Sequence, residues 1–223
     1  IEFRLAQKDP NGNCTNGIDR IYSHKTINAD DNSKLNQWPR DKYLNIWVIT
    51  NIPNNGGSGT ILAYAHFPSD VSGFLYPYDG VIMISTECNG SSRTLTHEIG
   101  HWLSLQHPWG STNNPGVACG DDLVTDTPET KGHFSTCPSY DSTCSIGTSN
   151  PNVLENIQNY MDYSNCKFMF TSGQRDSMRA ALEISVSGIS NLFLPSNLAA
   201  IVFNGMIVRA SCWEGVYISV AAG

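Results

Sequence analysis

The 223-residue sequence has few charged residues and no long apolar run. Charged residues make up 15% of the chain, the net charge is -7, and no block of like charges is longer than two residues. The chain therefore lacks the basic surface that nucleic acids or anionic membranes bind. No stretch approaches the roughly 18 apolar residues that a membrane-spanning helix requires. These absences exclude nucleic-acid binding and membrane insertion as functions suggested by the sequence.

The sequence also lacks a Cys-x-x-Cys pair, although it contains seven cysteines. Without such a pair, a zinc thiolate site is a weaker interpretation than disulfides formed in an oxidising, extracellular compartment. The odd number leaves at least one cysteine without a partner inside the chain. The N-terminal residues IEFRLAQ carry neither an initiator Met nor a signal peptide, so we expect a processed segment of a longer precursor. Four cysteines crowd one loop-rich region: Cys119, Cys137, Cys144 and Cys166.

Four apolar runs in the first half, at residues 1–6, 44–50, 60–66 and 80–86, predict β-strands because they are rich in branched and aromatic residues. A helix is predicted to start near Ser91 or Ser92 and to run through Leu103. A last helix is predicted after residue 170, since Thr171 and Gln174 have the spacing of a capping box. Beyond residue 191, short apolar runs predict strands or an irregular tail.

The segment between His107 and Tyr160 shows no periodicity, although it is far longer than an ordinary loop of about 4 to 6 residues. Something other than regular secondary structure must order it. Its clustered cysteines and the acidic stretch CGDDLVTDTPET indicate disulfides and bound calcium as the candidates.

The stretch HEIGHWLSLQH carries the clearest chemistry in the chain. Helical phasing of 100° per residue places His97 and His101 on one face, opposite an apolar stripe. Two histidines at this spacing can hold one zinc ion at roughly 2.0 to 2.1 Å each, and His107 supplies a third ligand if the helix stops soon after Leu103. The fourth position stays open for water, within reach of Glu98. This arrangement is typical of a catalytic metal site rather than a structural one.

HEIGHWLSLQH resembles the metzincin zinc peptidases. With CGDDLVTDTPE, GHFSTCPSY, NYMDYS and KFMFTSGQRDSMRA it is similar to the pappalysin and cytophagalysin (ulilysin-like) family of secreted endopeptidases, over about residues 1–182. The resemblance implies an α+β zincin. A twisted mixed sheet and the active-site helix form the upper half, and an irregular disulfide-bonded lower half ends in a helix. We expect an upper subdomain at 1–107, a lower subdomain at 108–190 and a tail of unknown role at 191–223.

The resemblance also implies a role for each matching residue. His97, His101 and His107 would bind zinc, while Glu98 would act as general base and then as general acid. Tyr163 would hydrogen-bond the oxyanion, and Met161 would form the methionine turn beneath the metal. The rim strand that pairs with an extended substrate would contain Ala63, Tyr64 and Ala65.

Disulfides and calcium are further implications of the resemblance. The family pairing would join Cys119 with Cys144 and Cys137 with Cys166, and it leaves Cys14, Cys88 and Cys212 unassigned. Calcium would bind the acidic loop, but a solvated acidic turn explains its carboxylates nearly as well. The candidate calcium ligands are Asp121, Asp122, Asp126 and Glu129.

Three departures from the family pattern stand out. Ser104 occupies a position where the signature carries glycine, and there the chain must leave the helix with a positive φ. Ser164 and Asn165 form a shortened segment where relatives carry acidic residues that favour a basic residue after the scissile bond. These two residues are therefore candidates for setting substrate specificity. The family normally has another strand and a long helix before the strand that IEFRLAQ resembles, so we expect this sequence to start inside the fold.

The sequence predicts a secreted, monomeric zinc-dependent endopeptidase that hydrolyses peptide bonds in extended protein substrates. A non-catalytic zinc-containing protein that binds peptides along the rim strand or acts through its tail is the alternative. A zinc amidase acting on non-protein substrates is a second one.

Overall fold

The computed structural model describes residues 1–54, 60–71, 73–146, 149, 151–183, 188–201 and 220–221. The chain forms two compact units, one made of Ile1–Asn89 with Leu182–Gly223 and the other of Gly90–Ala181. The subdomain boundaries expected at residues 107 and 190 stay a prediction. In the part of the chain that the structure describes, no helix is long and apolar enough to cross a bilayer.

The first unit contains a three-stranded sheet, counted over the described residues, in which β2 (Ile46–Ile49) and β3 (Ala63–Ala65) flank β4 (Val81–Ile84). The strand β4 runs parallel to β2 and antiparallel to β3. All four residues of β4 are buried, as expected for a continuous apolar run in the centre of a sheet. The core of this unit consists of Ala29, Ile49, Ile52, Ile82 and Ile84.

Both ends of the chain contribute to the first unit. The short strand β1 (Glu2–Phe3) pairs antiparallel with β5 (Val220–Ala221), so the strand expected at 1–6 is confirmed only in its first part. The expectation of strands or irregular structure after residue 191 is wrong for α3, the helix Pro195–Ile201. Pro195 favours this helix because its fixed φ suits the first helical position, where no amide hydrogen is needed. The predicted tail elements at 202–219 lie outside the described residues.

The second unit contains α1 (Thr94–Trp102), and α2 (Ser172–Glu183) starts within it. Arg93, not Ser91 or Ser92, occupies the N-cap position of α1, so the predicted start is slightly early. The backbone amide of Thr94 nevertheless donates to the Ser92 hydroxyl at 3.1 Å. The capping box of α2 is confirmed. The amide of Thr171 donates to Gln174 Oε1 at 3.1 Å, and the amide of Gln174 donates to Thr171 Oγ1 at 3.1 Å.

Between the two helices, the described residues form turns, isolated bridges and one short 3-10 turn at Thr143–Ser145. The two disulfides predicted for this segment, Cys119–Cys144 and Cys137–Cys166, are both present. Cys14 is also disulfide-bonded, whereas Cys88 is a free and exposed thiol. Disulfide bonds therefore cross-link this part of the chain, which contains little regular secondary structure.

Candidate metal centre

The end of α1 carries the chain toward the third histidine. Ser104 has φ 73°, so the predicted positive φ is confirmed. The amide of Leu105 donates to the carbonyl of Gly100 at 2.9 Å, and the amide of Ser104 donates to that of His101 at 2.9 Å. This pair of bonds is a Schellman motif, which ends a helix through one residue in the left-handed region. His107 follows two positions after Leu105.

The three predicted ligands converge within the second unit. His101 Nε2 lies 3.1 Å from His97 Nε2 and 3.1 Å from His107 Nε2. All three side chains are buried. The predicted face of α1 supplies two of these imidazoles, and the Schellman turn supplies the third. The structure thus brings together nitrogen atoms from three residues that all lie between His97 and His107 in the chain.

In each of the three imidazoles, the other ring nitrogen, Nδ1, forms a hydrogen bond with a backbone carbonyl oxygen. Nδ1 of His97 lies 2.8 Å from the Tyr160 oxygen, Nδ1 of His101 lies 2.7 Å from the Leu105 oxygen, and Nδ1 of His107 lies 2.9 Å from the Thr112 oxygen. A carbonyl only accepts, so each Nδ1 must carry the hydrogen. In neutral imidazoles the three Nε2 atoms then face one another as acceptors, an arrangement that a bound metal ion satisfies.

Burial keeps these histidines neutral. It lowers the pKa of His101 to about 4. Burial and the nearby His101 lower the pKa of His107 to about 3. For His97, burial is again the largest cause of a pKa well below 6.5, followed by the two other histidines and Lys167. Neutral imidazole is the form that binds metals, so the residues present fit a divalent metal ion.

Aromatic rings enclose the histidines. The Tyr163 ring centroid lies 5.4 Å from that of His97 and 4.9 Å from that of His107. Burial and the charge of Glu98 raise the pKa of Tyr163, which keeps its hydroxyl protonated. The side chain of Glu98 is itself buried on α1. Trp109 stacks on His107 at 4.6 Å with 2° between the ring planes. Sequence reasoning missed Trp109, although it follows the third histidine by only two positions.

A polar network holds the turn that contains Met161. Met161 is completely buried, and its amide donates to Asn159 Oδ1 at 2.9 Å. Asn159 Nδ2 donates in turn to Gln174 Oε1 at 2.9 Å, and both of these amide side chains are fully buried. The capping residue of α2 therefore also supports the turn. The capping-box spacing predicted the role of Gln174 at the helix but not this second one.

A second titratable cluster surrounds His133, which sequence reasoning also missed. His133 Nδ1 lies 3.0 Å from Asp162 Oδ2, while Nε2 lies 3.3 Å from Asp141 Oδ2 and 3.8 Å from Glu155 Oε2. Burial alone would lower the pKa of His133, but hydrogen bonds and charges from these carboxylates outweigh it and raise that pKa. His133, Asp141 and Glu155 also form a second group with the residue types of a metal site. Here the ion pairs already engage the imidazole.

Several carboxylates of the acidic loop accept hydrogen bonds from backbone amides and side chains of the protein. Asp122 is buried and accepts from the Val124 amide at 3.0 Å and from Gln174 Nε2 at 3.0 Å. Asp126 accepts from the Gly173 amide at 2.8 Å, and Asp121 accepts from the Leu123 amide. Glu129 is exposed. Calcium binding by these four residues stays a prediction.

The predicted substrate-binding residues fall in two places. Ala63, Tyr64 and Ala65 form the edge strand β3 of the first unit, and the Tyr64 hydroxyl donates to Asp31 at 3.1 Å. In the second unit, a pocket of about 290 Å³ is lined by Ser91, Arg93, Ser164, Asn165 and Lys167. The hydroxyl of Ser164 is buried and donates to the Ile157 carbonyl at 2.5 Å.

Comparison with known proteins agrees with the geometry. The model of the peptidase family M43, described as pregnancy-associated plasma protein-A, matches residues 27–183. The chain belongs to this family. The match spans the sheet, the histidine helix and both disulfides of the second unit. It confirms the pappalysin resemblance drawn from HEIGHWLSLQH and the motifs that follow it.

Individual M43 relatives are known from sequence and from structure. An extracellular metalloprotease of Pyricularia oryzae is 35% identical over 147 residues, which are 61% of this chain and 47% of that protein. One of Neurospora crassa is 36% identical over 148 residues, with coverages of 61% and 47%. Mature mirolysin of Tannerella forsythia, solved in complex with a cleaved peptide, superposes with a TM-score of 0.67 at 33% identity, covering 90% of this chain and 77% of that one.

The chain spans about half the length of the curated relatives it matches. Both fungal relatives are named extracellular metalloproteases, so membership of the family implies a metal, and neither name describes a non-catalytic protein. The structural match also confirms the predicted α+β zincin fold.

Proposed function

We propose that this chain is the catalytic part of a secreted, monomeric zinc endopeptidase that cleaves extended protein or peptide substrates. The convergence of three Nε2 atoms, each on an imidazole whose Nδ1 is committed to a carbonyl, carries the proposal. The disulfides of the second unit support secretion, since disulfides persist in oxidising compartments.

Zinc is the metal that this set of residues fits best. Nitrogen ligands held tetrahedrally at 2.0 to 2.1 Å from zinc lie about 3.4 Å apart, close to the 3.1 Å between the nitrogen atoms here. Three protein ligands leave one coordination position open, as in catalytic zinc sites. When bound, zinc supplies Lewis acidity, which polarises the scissile carbonyl and acidifies water.

Glu98 and Tyr163 are the residues proposed to complete the reaction. The Glu98 carboxylate takes a proton from the attacking water and delivers it to the leaving amine as the peptide bond breaks. Tyr163 keeps its hydroxyl proton, because burial and Glu98 raise its pKa. That hydroxyl would donate to the oxygen that becomes negative during attack. Met161 supports the site from within the core as the methionine turn.

Substrate binding is proposed to use the edge strand β3. Its partner β4 covers one side, and among the described residues β3 is the last strand of its sheet. An extended peptide can pair with such an edge through backbone hydrogen bonds, which requires no particular side chain. Ala63, Tyr64 and Ala65 would then bind the substrate backbone.

Cleavage of an unfolded protein such as casein tests the proposed function. We expect cleavage that a chelator abolishes and that added zinc restores. Glu98→Gln should lose at least about 10³-fold in kcat while it retains zinc, because only the proton acceptor is removed. Glu183→Gln, the same change at an exposed residue of α2, is the matched control and should keep full activity. Turnover by Glu98→Gln at the wild-type rate would refute the assignment, and a wild type that binds peptides without cleaving them would favour the non-catalytic alternative.

A further inference from the structure

The pocket beside α1 has a distinctive charge. Of its five lining residues, Arg93 and Lys167 carry positive charges, whereas Ser91, Ser164 and Asn165 are polar and neutral. None of the five is acidic. A pocket of about 290 Å³ with this lining has room for a single side chain and favours an anionic one.

The pocket adjoins the candidate catalytic centre within the second unit. Arg93 directly precedes α1, and His97 follows one helical turn later. Ser164 and Asn165 directly follow Tyr163, whose ring lies beside His97. Both walls of the pocket are therefore continuous in the chain with the histidine site.

The far wall of the pocket is held by the surrounding backbone. The Ser164 amide donates to Asp162 Oδ1 at 2.9 Å, and the Asn165 amide donates to the Thr136 carbonyl at 3.1 Å. Asn165 Nδ2 donates to the Ser135 carbonyl at 2.8 Å, and the next residue, Cys166, is disulfide-bonded. Because this wall is fixed, a ligand that binds there loses little affinity to ordering the protein.

We propose that this pocket binds a carboxylate side chain of the substrate, so that the enzyme cleaves next to Asp or Glu. The inference rests on the proposed function and deepens it by naming the substrate class. A carboxylate gains charge-assisted interactions with Arg93 and Lys167, whereas a basic side chain is repelled by the same two groups. Because Arg93 is exposed and Lys167 is half-buried, the preference should weaken as salt is added.

Peptides that differ at one position test the proposal. A peptide library cut by the enzyme and mapped by mass spectrometry first locates the residue beside the scissile bond. With Glu, Gln or Lys at that position, we expect kcat/KM for Glu to exceed that for Gln by about 10-fold and that for Lys by about 100-fold at low salt. Lys167→Glu and Arg93→Glu should each reverse the order of Glu and Lys. Arg179→Glu, the same change of charge on the exposed face of α2, should leave it intact.

A preference for Lys or Arg, or equal rates for the three peptides, would overturn the proposal while leaving the endopeptidase function standing. If no peptide is cleaved, the proposed function fails. The proposal about the pocket is then tested by measuring equilibrium binding of the Glu and Lys peptides to the zinc-loaded protein. Tighter binding of the Glu peptide that Lys167→Glu abolishes would support the pocket. Equal binding of the two peptides would refute it.

Discussion

Met161 occupies the space in which residue 100 would carry a side chain. A Cβ atom built on Gly100 would lie 2.3 Å from Met161 Sδ and 3.1 Å from its Cε. The glycine inside HEIGH is therefore a packing requirement, because only a residue without a Cβ lets the methionine approach the helix between the two histidines.

Gly100→Ala should destabilise the protein. Alanine improves helix propensity by about 1 kcal/mol, but the overlap with a fully buried Met161 forces a shift that costs about 1 to 3 kcal/mol or more. We expect a net loss of free energy of unfolding, measured by urea denaturation, together with weaker zinc binding. Gly90→Ala is the control, since a Cβ there meets no atom within 4 Å. Equal stability of Gly100→Ala and wild type would show that Met161 moves freely.

Ser104→Gly should stabilise the end of α1 slightly. Ser104 holds φ 73°, a conformation that costs a non-glycine residue about 1 kcal/mol. The greater chain entropy of glycine in the unfolded state offsets part of this gain, so we expect an increase of about 0.5 kcal/mol or less with unchanged activity. Ser104→Ala keeps the strain and should not gain. A large rise in zinc affinity of the glycine variant would contradict the view that the serine leaves the site intact.

Tyr163→Phe should slow peptide hydrolysis without releasing the metal. Loss of one donor to a developing oxyanion typically reduces kcat about 10²-fold. The ring contacts with His97 and His107 survive in phenylalanine, so zinc content and KM should change little. Steady-state kinetics with metal analysis measures both quantities. Tyr140→Phe, at an exposed tyrosine, is the matched control, and an equal kcat for the two variants would remove Tyr163 from the mechanism.

His133→Gln should destabilise the protein more in acid than in alkali. The carboxylates of Asp162, Asp141 and Glu155 outweigh the effect of burial and raise the pKa of His133 above its ordinary value of 6.5. A raised pKa means that the stabilisation is complete below about pH 6.5 and is lost as the pH rises through the folded-state value. We expect the fall in Tm to be larger at pH 5.5 than at pH 8.5 by about 2 °C or more.

The matched control for this pH dependence is His24→Gln, at an exposed histidine. A fall in Tm of the His133 variant that is the same at both pH values would mean that the cluster stabilises the loop through packing alone.

Local patterns anticipated much of the second unit. The spacing of HEIGHWLSLQH predicted the helix and the shared face of His97 and His101, because these features depend on residues within about one helical turn of each other. The positive φ at Ser104 was predicted only through the family signature, which carries glycine at that position. The capping box at Thr171 is equally local. The two disulfides were correct only through the family resemblance, since four cysteines alone allow three pairings.

Several contacts made by the irregular loops could not be predicted from the sequence. The ion cluster around His133 and the second role of Gln174 join segments that are distant in the chain. The stacking of Trp109 on His107, two positions away, depends on the path of an irregular turn, which no periodicity encodes. The prediction for the tail was wrong for a related reason. Short apolar runs have no distinctive period, and the helix Pro195–Ile201 is also held by Asn197, which donates to the Lys42 carbonyl 155 positions away.

The sequence by itself determined the candidate chemistry of this protein, since the histidines and glutamate that carry it lie within eleven residues and helical geometry alone places His97 and His101 on one face. Only the tertiary structure decided the tautomers of the three imidazoles, the burial of Met161 against Gly100 and the cationic lining of the pocket formed by Arg93 and Lys167. These features bring together segments that are far apart in the chain, such as those that contain Arg93 and Lys167. They are therefore set by packing, which local sequence patterns do not specify.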